Sequence, residues 1–269
     1  MLWGARPGPP TVMRSILVFA VLLLLKGVSR ALFRYRGMWM GMPPDSDWSR
    51  IRVLAILNHT SLYEPVLAGF APFGLLWHFA RHGVLPVAGK TIRRRVGILF
   101  RFLARQVVVV TRQRDHTWEN VLRRVDEDAI VMILPEGRMM RKDGLDAAGR
   151  PMTIRGGVAD ILAALDGGLM LVVYSGGLHH IQAPGELVPR PLRQVRARIE
   201  LVDIASYTEQ LGGCDDIEAF RAAVIEDLTR RRDTLCPVRE RGGIRGGEVP
   251  PYRFPKKQGV RRSGLGVGG

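Results

Sequence analysis

Residues 53–65 read VLAILNHTSLYEP, a run of apolar residues followed at once by polar ones. The apolar run predicts a buried β-strand, and the polar residues predict the loop at its carboxyl end. Open α/β sheets bind ligands at that edge of the sheet. His59 and Glu64, an imidazole and a carboxylate in this loop, are therefore the candidate catalytic pair.

The spacing of His59 and Glu64 limits how the two side chains can meet. Two residues separated by five positions on one helix point about 140° apart. They can meet only if His59 lies in the loop and Glu64 begins the first turn of the next helix. In that arrangement the carboxylate fixes the tautomer of the imidazole and stabilises the imidazolium that forms when His59 accepts a proton.

A purely structural interpretation of the same residues stays open at this point. Ser61 and Glu64 have the Ser-x-x-Glu spacing of a helix capping box, and Pro65 favours a helix start beside them. Under this interpretation Glu64 only caps a helix.

The composition is that of a folded and strongly basic protein. The chain has 269 residues, of which 46% are hydrophobic, enough for a substantial core. Its formal net charge is +15, and only five of its 40 lysine and arginine residues are lysines. Arginine binds phosphate in a bidentate manner, so the excess predicts a phosphate-rich partner: phospholipid, a nucleotide-bearing substrate or nucleic acid. An arginine-favouring genomic base composition is the alternative explanation. Cys214 and Cys236 are too few for a disulfide framework, which favours a reducing compartment.

The N-terminal region predicts a membrane anchor. Residues 1–12 read as a disordered leader and residues 13–45 as a membrane-anchoring helical segment. The apolar run 16–25 rises about 15 Å as a helix, half of a hydrocarbon core of about 30 Å. Aromatic and arginine residues are mixed over 30–39, which favours an interfacial helix on anionic lipid and a monotopic anchor rather than a spanning one. The positive charges that flank the run favour the cytoplasmic face of the inner (plasma) membrane.

Between residues 46 and 236 the sequence alternates between strand and helix patterns. Strands are predicted at 53–57, 75–80, 107–110, 130–134, 169–174 and 195–203, the last with the alternation of a half-exposed strand, as at a sheet edge. Helices are predicted at 65–74, 96–103, 118–125, 158–165 and 217–228. The class is therefore α/β, with a mostly parallel central sheet flanked by helices. Residues 237–269, rich in glycine, proline and arginine, predict a basic disordered tail.

Four segments in this order resemble the glycerolipid acyltransferases, the family of 1-acylglycerol-3-phosphate acyltransferase. Asn58 and His59 with Glu64 resemble the first family motif, Asn-His followed by four residues and Asp. Residues 107–112, an apolar strand that ends in Arg112, resemble the second motif. Residues 134–138, LPEGR, resemble the third, Phe-Pro-Glu-Gly-Thr, and residues 171–174, LVVY, the fourth. The order and spacing match over residues 50–205.

The chain departs from the family pattern in three places. Glu64 replaces the usual aspartate, Arg138 replaces the usual threonine, and the fourth motif lacks its proline. The substitution at 64 adds one methylene to the side chain that is expected to reach His59.

The resemblance implies a membrane-associated O-acyltransferase. It would move a fatty acyl chain from acyl-CoA or acyl carrier protein to the hydroxyl of a lysophospholipid, most plausibly lysophosphatidic acid to give phosphatidic acid, with no metal or other cofactor. His59 would be the general base and Glu64 would orient it. The substrate-binding residues implied are Arg112 for the acceptor phosphate, Arg138 as a second contact, and Asn58, Glu136, Gly137 and Arg155.

Two other classes of protein stay open at this point. A non-catalytic lipid-binding relative is suggested by the departures at Glu64 and Arg138, which equally suit an acyltransferase for a different acceptor. A nucleic-acid binder is suggested by charge alone, but the sequence lacks the interleaving of aromatic and basic residues found in single-strand binders, so no nucleic acid is expected as partner. His179 and His180 lack metal-ligand spacing, and Ser175 does not lie in a nucleophile elbow.

Overall fold

The structure is a computed structural model that describes residues 12–40, 47–93, 100–111, 114–126, 128–184, 186 and 188–237. The predicted basic tail, apart from Pro237, and the predicted leader, apart from Val12, lie outside the described residues.

The described chain alternates strands and helices as its sequence predicts. The strands are β1 (Arg34–Met40), β2 (Ile51–Leu57), β3 (Gly83–Ala88), β4 (Gln106–Val110), β5 (Ile130–Ile133), β6 (Leu169–Ser175) and β7 (Gln194–Asp203). The α-helices are α1 (Val12–Leu32), α2 (Phe73–His82), α3 (Gly89–Ile92), α4 (His116–Leu122), α5 (Gly157–Ala163), α6 (Ile204–Gln210) and α7 (Ile217–Leu235). Short 3₁₀ helices lie at Trp48–Arg50 and Glu64–Gly69.

The strands form one seven-stranded sheet in the order β1-β7-β6-β2-β5-β3-β4. Every neighbouring pair is parallel except β6 and β7, which are antiparallel. The carboxyl ends of β2 to β6 therefore lie at one edge of the sheet, which we call the carboxyl edge. The predicted fold class, a mostly parallel sheet flanked by helices, is confirmed.

The sheet is covered on both faces, which explains why its central strands are apolar throughout. Side chains of β2 alternate between two buried clusters: Ile56 packs in the cluster that includes α1 and α2, while Val53, Ala55 and Leu57 pack in the cluster that includes α4 to α7. Strand β2 ends at Leu57, and the polar residues that follow it begin at Asn58. This places the loop from Asn58 onward at the carboxyl edge.

Three secondary-structure predictions are wrong. Residues 75–80 lie in α2 and are not a strand, because Leu75, Leu76, Phe79 and Ala80 are buried at helical spacing, and a short apolar run does not distinguish the two. Residues 34–39 were expected in an interfacial helix but form β1, which pairs with β7. As a result β7 is not an edge strand.

The packing of β1 gives the physical reason for that correction. The ring of Tyr35 lies edge-on to Phe70 with centroids 4.9 Å apart, and the Tyr35 hydroxyl donates to the carbonyl of Val66 at 2.7 Å. A Cβ atom at Gly37 would come within 2.6 Å of the Phe70 ring. Residues 35, 37 and 39 thus share one face of a strand, and glycine makes room for Phe70.

The remaining predicted elements are placed by the structure as follows. The strands at 53–57, 107–110, 130–134, 169–174 and 195–203 are confirmed, as are the helices at 118–125, 158–165 and 217–228, with ends that differ by a few residues. Residues 65–74 are a 3₁₀ helix followed by the start of α2. Residues 96–99, half of the predicted helix 96–103, lie outside the described residues.

The apolar run 16–25 belongs to a helix longer than the run itself. Helix α1 has 21 residues and a mean hydropathy of 2.0 in its most apolar window, of which 22% is buried inside the protein. By length and composition alone such a helix could cross a membrane, although a core helix or a signal sequence meets the same criterion. The length estimated from the sequence was too short, because the helix continues through Lys26 to Leu32.

Candidate active site

The loop after β2 turns sharply at Asn58. Its φ of 68° is left-handed, a conformation that asparagine tolerates better than most residues. The Asn58 side-chain amide donates to the carbonyl of Ser175 at the end of β6, at 2.9 Å. Asn58, predicted to bind substrate, thus fixes the turn that presents His59.

His59 and Glu64 meet in the arrangement that their spacing predicts. His59 lies in the loop and Glu64 begins the 3₁₀ helix Glu64–Gly69. Nδ1 of His59 is 3.1 Å from Oε1 of Glu64, although the ring N–H is not aligned with the oxygen as in an ideal hydrogen bond. Glu64 is 3% exposed, so the contact is shielded from water.

The capping-box interpretation of Ser61 and Glu64 is met only in part, in the turn before the 3₁₀ helix. Its Oε1 atom accepts the backbone N–H groups of Thr60 at 2.9 Å and Ser61 at 3.0 Å, and the Ser61 hydroxyl accepts the N–H of Tyr63 at 3.1 Å. One carboxylate oxygen therefore holds the turn that precedes the 3₁₀ helix and also contacts the imidazole, while the N-cap residue of that helix, Tyr63, has no side-chain cap. A structural role and a role beside His59 are compatible, because the backbone contacts to Thr60 and Ser61 hold the carboxylate against the imidazole.

Glu136 holds the backbone of the same loop. It follows β5, the neighbour of β2 in the sheet, and is 1% exposed. Its Oε1 accepts the N–H of Asn58 at 2.8 Å and its Oε2 accepts the N–H of His59 at 3.3 Å. Burial raises the pKa of Glu136, while these hydrogen bonds and the nearby His59 oppose the rise.

The charges around His59 favour its protonated form. Burial of the ring lowers its pKa, but the Glu64 carboxylate, with a smaller contribution from Glu136, outweighs burial and leaves the pKa of His59 above its ordinary value. The side chain is 12% exposed. Because Nδ1 faces Glu64, Nε2 is the nitrogen available to a substrate.

Arg138 is engaged with the protein itself. Its side chain is 9% exposed; Nη1 donates to the buried carboxylate of Asp146, and Nη2 donates to the hydroxyl of Thr153 at 3.1 Å. The same carboxylate accepts the backbone N–H groups of Ala148 at 2.8 Å and Arg150 at 3.0 Å. Arg138 therefore organises the loop between β5 and α5.

Gly137 and Arg155 lie against each other within that loop. Gly137 has a left-handed φ of 59°, and a Cβ atom there would lie 3.0 Å from Cδ of Arg155. The Gly137 N–H donates to the carbonyl of Leu134 and the Arg155 N–H to that of Pro135, both at 2.9 Å. Glycine is thus required by the turn and by the close approach of Arg155. Arg112, the predicted phosphate contact, lies outside the described residues.

Backbone contacts join the three loops of the carboxyl edge. The N–H of Met140 donates to the carbonyl of His59 at 2.8 Å, and Nε2 of His179 donates to the carbonyl of Met140 at 2.7 Å. The N–H of Leu178 donates to the Thr60 hydroxyl at 2.7 Å. The loops after β2, β5 and β6 consequently form one unit around His59.

Similarity to known proteins was found at the level of structure. No protein-family model matches the chain, and no curated protein sequence matches it significantly. The structure is similar to the crystal structure of the 1-acyl-sn-glycerophosphate (LPA) acyltransferase PlsC from Thermotoga maritima, with a TM-score of 0.50. The match has 16% sequence identity and covers 83% of this chain and 88% of that one. The two proteins share a fold.

The fold brings together most of the predicted site residues. Asn58, His59, Glu64 and Glu136 form one hydrogen-bonded and ion-paired group, while Gly137, Arg138 and Arg155 form the loop beside it. In the part of the chain that the structure describes, no group of His, Cys, Asp or Glu side chains is arranged to hold a metal ion.

The role of the loop after β6 was not predicted from the sequence. The Ser61 hydroxyl donates to the side-chain oxygen of Gln182, and Leu178 contacts Thr60 as described above. Gln182 is 4% exposed and lies more than a hundred residues away from Ser61 in sequence, so no local pattern connects them. The paired glycines Gly176 and Gly177, directly after an apolar strand, were the available signal.

Proposed function

We propose that this protein is a membrane-associated O-acyltransferase that transfers a fatty acyl chain from an acyl thioester to the hydroxyl of a lysophospholipid. The observation that carries the proposal is the contact between Nδ1 of His59 and Oε1 of Glu64 at the carboxyl edge of a fold shared with an LPA acyltransferase. The donor is acyl-CoA or acyl carrier protein.

The geometry supports a single-displacement mechanism. The substrate hydroxyl gives its proton to Nε2 of His59 as its oxygen attacks the thioester carbon, which leaves a tetrahedral oxyanion. The C–S bond then breaks, the carbonyl re-forms, and the leaving thiolate takes the proton from the imidazolium. Glu64 stabilises that imidazolium through Nδ1, by the logic of a triad whose nucleophile belongs to the substrate.

The residues around the pair divide between positioning and substrate binding. Glu136 is assigned a positioning role, because both of its oxygens accept backbone N–H groups of the loop that carries His59. We assign Arg138 the role of ordering its own loop, because its guanidinium group already donates to the carboxylate of Asp146. Arg112 is left as the residue proposed to bind the acceptor phosphate, and lysophosphatidic acid is the acceptor that the similarity to PlsC favours.

The attachment of α1 supports a monotopic anchor. Nζ of Lys26 donates to the carbonyls of Gly69 at 3.1 Å and Ala71 at 2.7 Å, and Nε of Arg30 donates to Gly69 at 3.0 Å. These contacts hold the helix against the domain, so it lies beside the sheet. Its outer face is apolar and exposed, as at Leu17 and Leu24, and suits the interfacial region of a bilayer.

The exposed apolar surface continues from α1 onto α2. Phe73 is 64% exposed and Trp77 is 37% exposed, and the Trp77 ring lies edge-on to Phe19 with centroids 5.2 Å apart. Tryptophan is enriched at membrane interfaces. We place this surface on the cytoplasmic face of the inner membrane, where anionic lipids attract a chain of net charge +15.

A panel of acceptors tests the proposed reaction. Detergent-solubilised protein receives labelled acyl-CoA, or acyl carrier protein as donor, with several lysophospholipids. Turnover on lysophosphatidic acid, with a KM raised about tenfold or more in Arg112→Ala, is expected from the loss of a charge-assisted phosphate contact. Lipid binding without turnover across the panel would instead identify a non-catalytic lipid-binding relative.

A further inference from the structure

A cavity of about 630 Å³ opens at the carboxyl edge beside the His59 loop. It is lined by Gly176 and Gly177, directly after β6, and by Gln194 and Arg196, at the start of β7. Lys142, from the loop between β5 and α5, contributes to its rim. A volume of this size is within the range of small-molecule sites.

The lining of the cavity is strongly cationic. Lys142, Arg190, Arg193 and Arg196 line it together with two histidines, and no aspartate or glutamate is among its lining residues. Glu186 pairs with Arg190 and interacts electrostatically with Lys142, whereas Arg193 and Arg196 form no salt bridge with any described carboxylate. A concave site with uncompensated positive charge concentrates anions from solution.

The cavity shares a wall with the catalytic loop. Gly177 has a left-handed φ of 75°, and a Cβ atom there would lie 3.4 Å from the side-chain nitrogen of Asn58. The Asn58 amide already binds the carbonyl of Ser175, and His179 in the cavity wall binds Met140, which in turn binds the carbonyl of His59. The cavity lining is therefore in contact with the loop that carries the candidate base.

The order of the strands suggests which substrate uses the cavity. His59 follows the central strand β2; the cavity lies toward β6 and β7, whereas Arg112 follows β4, at the opposite end of the sheet. A transfer from acyl-CoA to a lysophospholipid phosphate involves two phosphate-bearing substrates. The basic cavity toward β7 would bind one of them, and the loop after β4, in which the sequence has Arg112, is left for the other.

We propose that the cavity lined by Lys142, Arg190, Arg193 and Arg196 is a phosphomonoester-binding subsite of the active site. The ligand chemistry is a phosphomonoester dianion, which arginine and lysine bind through charge-assisted hydrogen bonds. The strand order favours the nucleotide end of the CoA donor as its source. The assignment to a substrate rests on the proposed acyltransferase function, but anion binding itself does not.

Direct binding measurements test the subsite without turnover. Calorimetric titration of the full chain uses adenosine 3′,5′-bisphosphate, the phosphate-bearing end of CoA, and glycerol 3-phosphate, which represents the acceptor. The variants are Arg193→Gln and Arg196→Gln, with Arg123→Gln as the matched control, an exposed arginine beyond the cavity lining. His59→Ala is included to separate this binding from catalysis.

The expected result is an affinity for the bisphosphate about tenfold or more lower in Arg193→Gln and Arg196→Gln, and unchanged in Arg123→Gln and His59→Ala. A loss confined to glycerol 3-phosphate would support the subsite and assign it to the acceptor. Equal affinities of wild type and both cavity variants for both ligands would overturn the proposal, as would an equal loss in Arg123→Gln. If binding follows the prediction but no acyl transfer is found, the subsite stands and the proposed reaction is wrong.

Discussion

Oε1 of Glu64 lies 3.1 Å from Nδ1 of His59 and also accepts the backbone N–H groups of Thr60 and Ser61. The oxygen that orients the candidate base is thus itself held by the backbone of the same loop. Oε2 of Glu64 is buried and has no hydrogen-bond partner among the described residues. All the polar contacts of this carboxylate with described residues are therefore made by Oε1.

Replacing Glu64 tests its orienting role. In Glu64→Gln the amide oxygen can keep the two backbone contacts, but the negative charge beside His59 is lost. We expect kcat to fall about tenfold or more, with little change in KM, because the charge acts mainly when the imidazolium forms. Glu64→Asp, which restores the common family residue, is the control for charge. A Glu64→Gln enzyme as fast as wild type would contradict the orienting role.

The pH dependence of turnover tests the charge environment of His59. A general base must be neutral to act, and the pKa of His59 lies above the ordinary value of 6.5. The acid limb of kcat/KM should therefore have its midpoint above pH 6.5, and the rate should rise with pH through it. Glu64→Gln should move this midpoint to lower pH, because the charge that raises the pKa is gone. A midpoint that is the same in both enzymes would show that the limb reports another group.

The raised pKa of His59 also affects the stability of the folded protein. Since the pKa of His59 is raised in the folded protein, its pairing with Glu64 stabilises the fold most fully below pH 6.5. This contribution is lost as the pH rises through the folded-state pKa. Chemical denaturation of wild type and His59→Gln across this range should show a difference in free energy of unfolding that shrinks with increasing pH. A difference that grows with pH would contradict the pairing.

Removing the charge of Glu136 tests its hold on the catalytic loop. In Glu136→Gln one of the two backbone N–H groups of Asn58 and His59 loses its acceptor in a buried site, so we expect unfolding to become easier by about 1–3 kcal/mol. Turnover should fall because the loop that carries His59 is loosened. The control is Glu218→Gln, whose side chain is 76% exposed. Unchanged stability in Glu136→Gln would show that its hydrogen bonds do not hold the loop.

Arg138 and Arg150 offer a matched test of the loop between β5 and α5. Both donate to Asp146, but the side chain of Arg138 is 9% exposed and that of Arg150 is 57% exposed. Arg138→Met should therefore lower Tm and kcat more than Arg150→Met, while the KM for the acceptor changes little. If the KM for the acceptor rose sharply in Arg138→Met alone, the result would support the direct contact between Arg138 and the acceptor phosphate that was predicted from the sequence.

The outer face of α1 tests the membrane assignment. Leu24 is 67% exposed, so Leu24→Asp should reduce sedimentation with anionic liposomes without a change in Tm. Ile217→Asp, at the start of α7 and 38% exposed, is the control and should bind liposomes as wild type does. Equal liposome binding by Leu24→Asp and wild type would contradict the proposed anchor.

The sequence predicted those features that depend on local pattern. The strand before Asn58, the loop position of His59 and the helical start at Glu64 all follow from periodicity and capping chemistry, and the structure has them. The strand at 34–40 was missed because its register depends on β7, more than 150 residues later. The helix at 73–82 was missed because a short apolar run fits either structure.

The roles of Glu136 and Arg138 could not be predicted for a similar reason. The hydrogen bonds of Glu136 to Asn58 and His59 span 78 and 77 residues of sequence, and only the pairing of β2 with β5 brings them together. Arg138 meets Asp146 through a loop whose conformation depends on backbone contacts to Asp146. Motif similarity locates such residues but does not say which of them faces the substrate.

The central claim is that His59 is the base of an acyl transfer, and the most direct test is transfer of labelled acyl chain to lysophosphatidic acid by wild type and His59→Ala. The two proteins should bind the lysophospholipid equally, and only wild type should turn over. We expect a loss of about 10²–10⁴-fold in kcat, the usual contribution of a general base. Turnover by His59→Ala at the wild-type rate would contradict the account.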